Sequence, residues 1–265
     1  MGTRETKIAV TCPACHHAGT FAAWDCIDGG ETPELRHRIL HDDTLFFYEC
    51  PKCHRQVRIE APCLYIDRDR KFMVWHLPEQ KAPVFADEAC QNAGIADAEG
   101  YVCRLALTWG EWREKILELE SGYDDRLYEI IKYGAYQLIR KEDREKLPVQ
   151  AYHIDYDSDS SAADALALVF MDQTKKGMGY TYPITARVRD VTSELFQPLL
   201  DRLPADEGPK RLYRYNYDWA KQFVEYVMHW ASSQDSGTAY RKLLGFWIQT
   251  LGKELFQQPV TPRQG

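Results

Sequence analysis

Residues 10–17, VTCPACHH, carry a short motif that returns at residues 48–55 as YECPKCHR. Both copies read Cys-Pro-x-Cys-His, and their first cysteines lie 38 positions apart. A Cys-x-x-Cys turn lets two thiolates reach one ion, and two such turns complete a tetrahedral zinc site. Four protein ligands leave no position for a substrate, so we predict one structural Zn²⁺. The predicted ligands are Cys12, Cys15, Cys50 and Cys53.

The interval between the two motifs must contain a folded element. Thirty-four residues separate Cys15 from Cys50, whereas paired cysteines of this kind are usually separated by about 15–20. The segment ETPELRHRILHDD predicts a short helix over about residues 33–41. Thr32 suits the N-cap and Pro33 the first helical position. The following TLFFYEC predicts a strand that leads into the second motif.

The remaining histidines and cysteines near these motifs are not needed as ligands. His16 and His54 each follow a second cysteine, but four thiolates already complete the tetrahedron. We expect both histidines beside the site or at the surface. The other four cysteines show no paired spacing and are predicted to be buried and unreactive. They are Cys26, Cys63, Cys90 and Cys103.

The two motifs, the following LYIDRDRKFMVWHLP and the later GYDDRLYEIIK together resemble the bacterial and archaeal CpXC-domain family, over about residues 7–140. The resemblance implies a cytoplasmic, zinc-ribbon-like module held by the four cysteines of the two motifs. It implies no established biochemical activity. One departure is visible, because ribbon turns often have glycine after the second cysteine, where this chain has His16 and His54.

Composition predicts a soluble globular protein. The chain has 265 residues, of which 45% are hydrophobic and 28% charged. The opening MGTRETKIAV contains no apolar run typical of a secretory signal, and no stretch approaches the roughly 20 apolar residues of a membrane span. We therefore expect a cytoplasmic location and no membrane contact. The formal net charge of −7 argues against non-specific nucleic-acid binding, which depends on cations.

The pattern along the chain predicts an α+β fold in two parts. Pro148 marks a boundary between a zinc-ribbon domain with trailing helices, residues 1–147, and an α+β region, residues 148–265. We predict mostly antiparallel strands, with helices packed on one side of an antiparallel sheet. Residues 79–100 are predicted to be a loop or linker. Strands are expected in AYHIDY, ADALALVFMD and MGYTYPITARV, and later helices at about residues 192–202, 218–232 and 239–256.

One acidic segment partly fits a calcium-binding loop. Asp155, Asp157 and Asp159 take its first, third and fifth positions. Ser160 stands where the loop needs glycine, and Leu166 where it needs glutamate. We predict a solvated acidic loop.

Three other sets of residues are candidates for catalysis. His37 and His41 share a helix face, but the residue after His37 is an arginine and not the glutamate of a metalloprotease. Asp124 and Asp125 stand where a helix N-terminus favours negative charge, so capping explains them. His76 has no nucleophile with a recognisable motif beside it. We therefore predict no catalytic residue, and a binding protein rather than an enzyme.

The segment KRLYRYNYDW, residues 210–219, contains three alternating tyrosines. In an extended chain Tyr213, Tyr215 and Tyr217 would share one face. Such a face can stack the bases of a single strand, but it is more often the buried side of a strand. We predict core packing. The following helix carries aromatic residues at core-facing spacing.

These observations lead to one prediction of function and two alternatives. The first is a cytoplasmic zinc-binding module that acts through protein–protein contacts, with a protein partner. The second is a nucleic-acid-binding protein that uses the ribbon and the Tyr213–Tyr217 segment. The third is a hydrolase-like enzyme with an unusual site near Asp124, Asp125 and His76.

Overall fold

A computed structural model of the chain was analysed. It describes residues 2–162, 165–175, 178–203, 210–233, 238–256 and 261–264, with the backbone alone described at residues 43, 151 and 261–264. Contacts between Cα atoms divide the chain into two compact units. The first unit is Met1–Glu120 with Asp206–Arg214, and the second is Ser121–Ala205 with Tyr215–Gly265. The domain boundary at residues 147/148 stays a prediction.

The first unit contains a five-stranded sheet and a separate two-stranded hairpin. Its elements are β1 (Arg4–Thr11), β2 (Ala18–Asp28), α1 (Pro33–His41), β3 (Phe47–Glu49), β4 (Gln56–Arg58), β5 (Cys63–Asp67), β6 (Phe72–His76), α2 (Ala86–Ala93), β7 (Val102–Ala106) and α3 (Trp109–Glu120). The strand order of the large sheet is β1-β2-β5-β6-β7, and β3 pairs with β4. The predicted helix over residues 33–41 is confirmed.

The described strands pair mostly antiparallel, as predicted, but the large sheet is mixed because two of its pairs are parallel. Strands β2 and β5 are parallel, as are β6 and β7, while the other pairs are antiparallel. A parallel pair needs a crossover connection. The segment from β2 to β5 contains the second cysteine motif, and the segment from β6 to β7 contains α2.

Helix α2 lies within residues 79–100, so the prediction of a loop or linker there is wrong. Its buried residues, Ala86, Ala89, Cys90 and Ala93, recur at helical spacing. All four side chains are small, so they form a helical face with little apolar area. Gly94 ends the helix in the left-handed conformation, with φ of 65°.

The second unit has one antiparallel sheet with helices around a single large core. Its elements are α4 (Asp125–Leu138), α5 (Lys141–Arg144), β8 (Tyr152–Tyr156), β9 (Leu166–Met171), β10 (Met178–Pro183), α6 (Ala186–Leu200), α7 (Tyr217–Ser233), α8 (Thr238–Phe256) and β11 (Thr261–Gln264). The strand order is β11-β10-β9-β8. The α+β fold class is confirmed.

Most of the predicted elements of this unit are present, with one shift at α6. Helix α6 begins at Ala186 and not near residue 192, because the Thr185 hydroxyl accepts a hydrogen bond from the Val188 N–H at 3.3 Å. The end of the strand predicted in MGYTYPITARV is therefore helical. Strand β11 was not predicted. None of the described helices is long and apolar enough to cross a membrane.

Candidate metal centre

Each Cys-Pro-x-Cys motif lies at the tip of a β-hairpin. The first joins β1 to β2, where Thr11 pairs with Ala18. The second joins β3 to β4, where Glu49 pairs with Gln56. The two hairpins together form the zinc-ribbon-like module that the sequence predicts, and we call them the ribbon.

The two turns have the same hydrogen bonds. In the first, the Cys12 N–H donates to the His17 carbonyl and the His16 N–H donates to the Cys12 carbonyl, both at 2.9 Å. The equivalent bonds of the second turn measure 3.0 and 2.8 Å. His16 and His54 both adopt left-handed backbone conformations, with φ of 56° and 55°. Histidine is among the residues that tolerate this region, so it replaces the usual glycine without changing the turn.

The hairpin tips bring the four predicted ligands together. The Sγ atoms of Cys12 and Cys53 are 3.6 Å apart, and so are those of Cys15 and Cys50. All four sulfur atoms lie within 4.8 Å of one another. A tetrahedral ion with bonds of about 2.3 Å to sulfur separates its ligands by about 3.8 Å. The cluster therefore has the donor set and the spacing of a metal site.

The four thiols influence one another's protonation. Hydrogen bonds from backbone N–H groups, chiefly that of Cys15, lower the pKa of Cys12 to about 6. The Arg55 N–H acts to lower the pKa of Cys53, but the neighbouring thiols, with some loss of hydration, outweigh it and raise that pKa to about 12. Several thiolates at this spacing repel one another unless a cation lies between them.

A small apolar cluster packs beneath the cysteines. Cys12 and Cys50 are fully buried in it, and Val10 and Tyr48 are nearly so. Tyr48 meets the Phe21 ring edge-to-face, with centroids 6.5 Å apart. Of the described residues, this group holds only a few side chains, so it gives the ribbon little apolar burial.

The family comparison agrees with this geometry. Residues 10–132 match the sequence model of the family described as CpXC protein. The cysteine-rich N-terminal part of the chain is thus consistent with a CpXC domain. The match extends past the ribbon into α4. Searches of the curated proteins and of the solved structures found no match.

The two histidines that follow the motifs and the four unpaired cysteines lie where they were expected. His16 and His54 are exposed, and His54 Nδ1 is 3.1 Å from Glu49 Oε1. Neither belongs to the metal-holding group of described residues, which consists of the four cysteines. The remaining four cysteines are buried. Burial raises the pKa of Cys26 to about 11 and holds that of Cys63 well above its ordinary value, so both thiols stay protonated.

Asp124 has a capping role, as predicted. Its carboxylate accepts the Arg126 backbone N–H at 3.0 Å and also pairs with the Arg126 guanidinium. Burial acts to raise the pKa of this carboxyl, but the bonds from Arg126 outweigh burial and lower it. A depressed pKa keeps Asp124 ionised, which suits a cap and not a general acid. Asp125 follows as the first residue of α4 and is buried.

His76 is a buried residue of β6. Its Nδ1 lies 3.1 Å from the Ala61 carbonyl, and its Nε2 lies 3.6 Å from Glu60 Oε2. Burial lowers its pKa, so the ring is neutral near pH 7. His76 belongs to the first unit, whereas Asp124 and Asp125 belong to the second.

The other polar candidates have local contacts. The rings of His37 and His41 lie 4.5 Å apart on α1. Asp155 accepts the Tyr156 N–H at 2.8 Å, and Asp157 accepts the Asp159 N–H at 3.1 Å. Among the described residues, these carboxylates form no metal-holding group.

The three tyrosines do not share a strand face, and their packing in the core stays a prediction. Tyr217 is the first residue of α7 and packs against Tyr133 and Tyr136, with ring centroids 5.6 Å from each. Tyr213 makes an isolated bridge in the first unit, while Tyr215 belongs to the second. All three side chains are half-buried. The chain turns into a helix before the alternation is complete.

Proposed function

We propose that the four cysteines hold one Zn²⁺ with a structural role. The tetrahedral spacing of their sulfur atoms is the observation that carries this proposal. Four thiolates match the ligand preference of zinc, whereas magnesium and calcium prefer oxygen. A site with four protein ligands has no open coordination position, so the ion stabilises the ribbon and does not bind a substrate.

We further propose that the chain acts in the cytoplasm as a binding module, through protein–protein contacts. Exposed apolar side chains on α7 and α8 support this part. Tyr226 is 70% exposed, Leu243 48% and Phe246 46%. Leu243 and Phe246 are three positions apart on α8 and so share one face of that helix. Exposed apolar groups on a shared face are typical of surfaces that meet another protein. The capping role of Asp124 and the buried position of His76 favour binding over catalysis.

The zinc proposal is tested by metal content. We expect about one zinc per chain in protein purified without chelator, as a single four-cysteine site requires. Cys50→Ser is expected to lower the zinc content strongly, whereas Cys90→Ser, a change at a buried cysteine outside the cluster, retains it. Metal-free wild-type protein, or equal loss in both variants, contradicts the proposal.

Limited proteolysis tests the structural role of the ion. Chelation is expected to open cleavage sites in the two hairpins, residues 4–28 and 47–58, while α4 to α8 stay protected by their own core. Cleavage of both units at equal rates after chelation contradicts a role confined to the ribbon.

The binding part is tested by comparing three surface variants. Proteins captured by the zinc-loaded wild type are expected to be lost with Leu243→Ser and Phe246→Ser, and kept with Val102→Ser, a similarly exposed site in the first unit. Capture of single-stranded nucleic acid that weakens steeply with salt favours the nucleic-acid alternative instead.

A further inference from the structure

The second unit contains a cavity that the metal site does not explain. Its volume is about 540 Å³, within the range of about 300–1,000 Å³ that is typical of small-molecule sites. The cavity lies where the last residues of α4 and α8, Leu138 and Phe256, meet the sheet near the end of β9. All of its lining residues belong to the second unit.

The floor of the cavity is aromatic and fixed by ring contacts. Tyr180 lies opposite Phe170 in the β9–β10 ladder, and Tyr182 follows on the same face. The Phe170 and Tyr182 rings meet edge-to-face at 5.5 Å, and Tyr182 meets Phe256 at 4.9 Å. Phe170 also stacks on Tyr152 at 4.2 Å, which anchors the floor in the core. A rigid aromatic floor binds a planar ring without reordering its own side chains.

The rim carries more positive than negative charge. Its charged side chains are Arg140, Asp143, Lys146, Asp172 and Lys175, three cations against two anions. Arg140 is paired with Asp143 at 2.8 Å. The side chains of Lys146 and Lys175 have no ion-pair partner within 4 Å among the described residues.

The one remaining anion on the rim is held by hydrogen bonds. Asp172 Oδ1 accepts the Thr174 backbone N–H at 2.8 Å and its hydroxyl at 2.6 Å. The C-terminal carbonyls of α4 are also occupied, because Arg144 donates to the carbonyls of Gln137 and Ile139. The negative end of that helix is thus compensated. Lys146 and Lys175 also lower the pKa of Asp172 through their charge, so Asp172 offsets part of the two positive charges and a net positive charge remains to attract an anion.

We propose that this cavity binds a small organic anion with a planar aromatic body. The ring lies on the aromatic floor, and its carboxylate or phosphate group lies at the rim near Lys146 and Lys175. This site is independent of the zinc proposal, because none of its residues belongs to the ribbon.

Three matched probes test the charge requirement on the full-length, zinc-loaded chain. They are 2-naphthoate, 2-naphthyl phosphate and the neutral 2-naphthamide, with binding followed by titration calorimetry. We expect saturable one-to-one binding of at least one anion, about tenfold tighter than the amide. This difference is expected to shrink when salt rises from about 50 mM to about 500 mM. The anion that binds tighter distinguishes a carboxylate ligand from a phosphate ligand.

Variants locate the site. Lys146→Gln and Lys175→Gln are each expected to weaken anion binding about three- to tenfold and to leave the amide unchanged, because each removes one partly solvated charge. Lys221→Gln, at an exposed lysine on α7 away from the cavity, is the control. Phe256→Ala is expected to weaken all three probes.

Three results would overturn the proposal. These are no saturable binding of any probe, equal affinity for the amide and the anions, or an equal effect of Lys221→Gln. The lysine changes lie on exposed side chains, and an unchanged melting curve verifies that each variant is folded.

Discussion

Replacing Gly19 by alanine is expected to weaken the ribbon, because the added methyl group overlaps Tyr48. Gly19 lies in β2 opposite Val10 of β1. A Cβ at this position overlaps the Tyr48 hydroxyl oxygen and lies 3.0 Å from Cζ of the same ring. The ring is 6% exposed and packs against Phe21, so it has little room to move.

The size of the effect follows from two opposing contributions. Overpacking of a well-packed site costs about 1–3 kcal/mol. Alanine regains about 0.5–1 kcal/mol over glycine within a regular element. The cost of overpacking exceeds the gain from alanine, so the net loss of folding stability is about 1–2 kcal/mol. If metal binding and ribbon folding are coupled, this loss corresponds to roughly a tenfold fall in apparent metal affinity.

The structure also specifies a change that should relieve the clash. Tyr48→Phe removes the oxygen that the new methyl group overlaps. The Tyr48 hydroxyl is buried and has no hydrogen-bond partner among the described residues, so Tyr48→Phe alone is expected to keep or raise stability. In the Tyr48→Phe background, Gly19→Ala is expected to lose less than half as much stability as in the wild type.

Competition with a chromogenic chelator and thermal unfolding measure the four proteins of this double-mutant cycle. Gly110→Ala is the control, because a Cβ at Gly110 of α3 meets nothing within 4 Å. An equal cost of Gly19→Ala in both backgrounds refutes the reasoning, and so does a stabilising effect of Gly19→Ala like that expected for Gly110→Ala.

Three further changes are expected to separate packing, capping and burial, each followed by urea unfolding. Gly134→Ala should destabilise the second unit by about 1–2 kcal/mol, because the added Cβ would lie 2.6 Å from the buried Trp247 ring. Gly245→Ala is the control: its Cβ meets nothing within 4 Å, so this change should raise the stability by up to about 1 kcal/mol. Asp124→Ala should cost about 1 kcal/mol at neutral pH, and the difference from wild type should shrink as acid protonates this low-pKa carboxylate. Burial lowers the pKa of His76, so as the pH falls the unfolded chain takes up this proton before the folded chain does. The stability of the wild type should therefore fall as the pH drops below about 6.5. His76→Gln should remove this contribution to the pH dependence of stability.

The sequence is sufficient for the metal centre because its signal is local and repeated. Each Cys-Pro-x-Cys turn determines its own geometry, and the second copy supplies the two further cysteines that complete a four-ligand site. The histidines show the limit of this reasoning. Ribbon turns often have glycine after the second cysteine, but His16 and His54 adopt the conformation that glycine usually supplies.

The features that were missed depend on small side chains or on distant pairing. Helix α2 buries alanines and one cysteine, whose spacing is helical but whose hydropathy is weak. The parallel pairs of the large sheet depend on which strand each crossover connection places beside the previous one. A local sequence pattern does not contain that information. Tyr217 continues the alternating pattern of Tyr213 and Tyr215, yet it is the first residue of helix α7. Its ring is positioned by contacts with Tyr133 and Tyr136, which are distant in the sequence.

The ribbon and the second unit differ in what holds them together. Strands β3 and β4 have three residues each, and an isolated hairpin of this size is at best marginally stable in water. The apolar cluster beneath the cysteines includes two of the proposed ligands themselves, Cys12 and Cys50. Ion binding and apolar packing therefore involve the same residues, so losing the ion also exposes this small core. The second unit buries a large cluster that contains Trp247, Phe196 and Phe170 and none of the ribbon's cysteines. The cost of removing the metal should consequently fall on the hairpins.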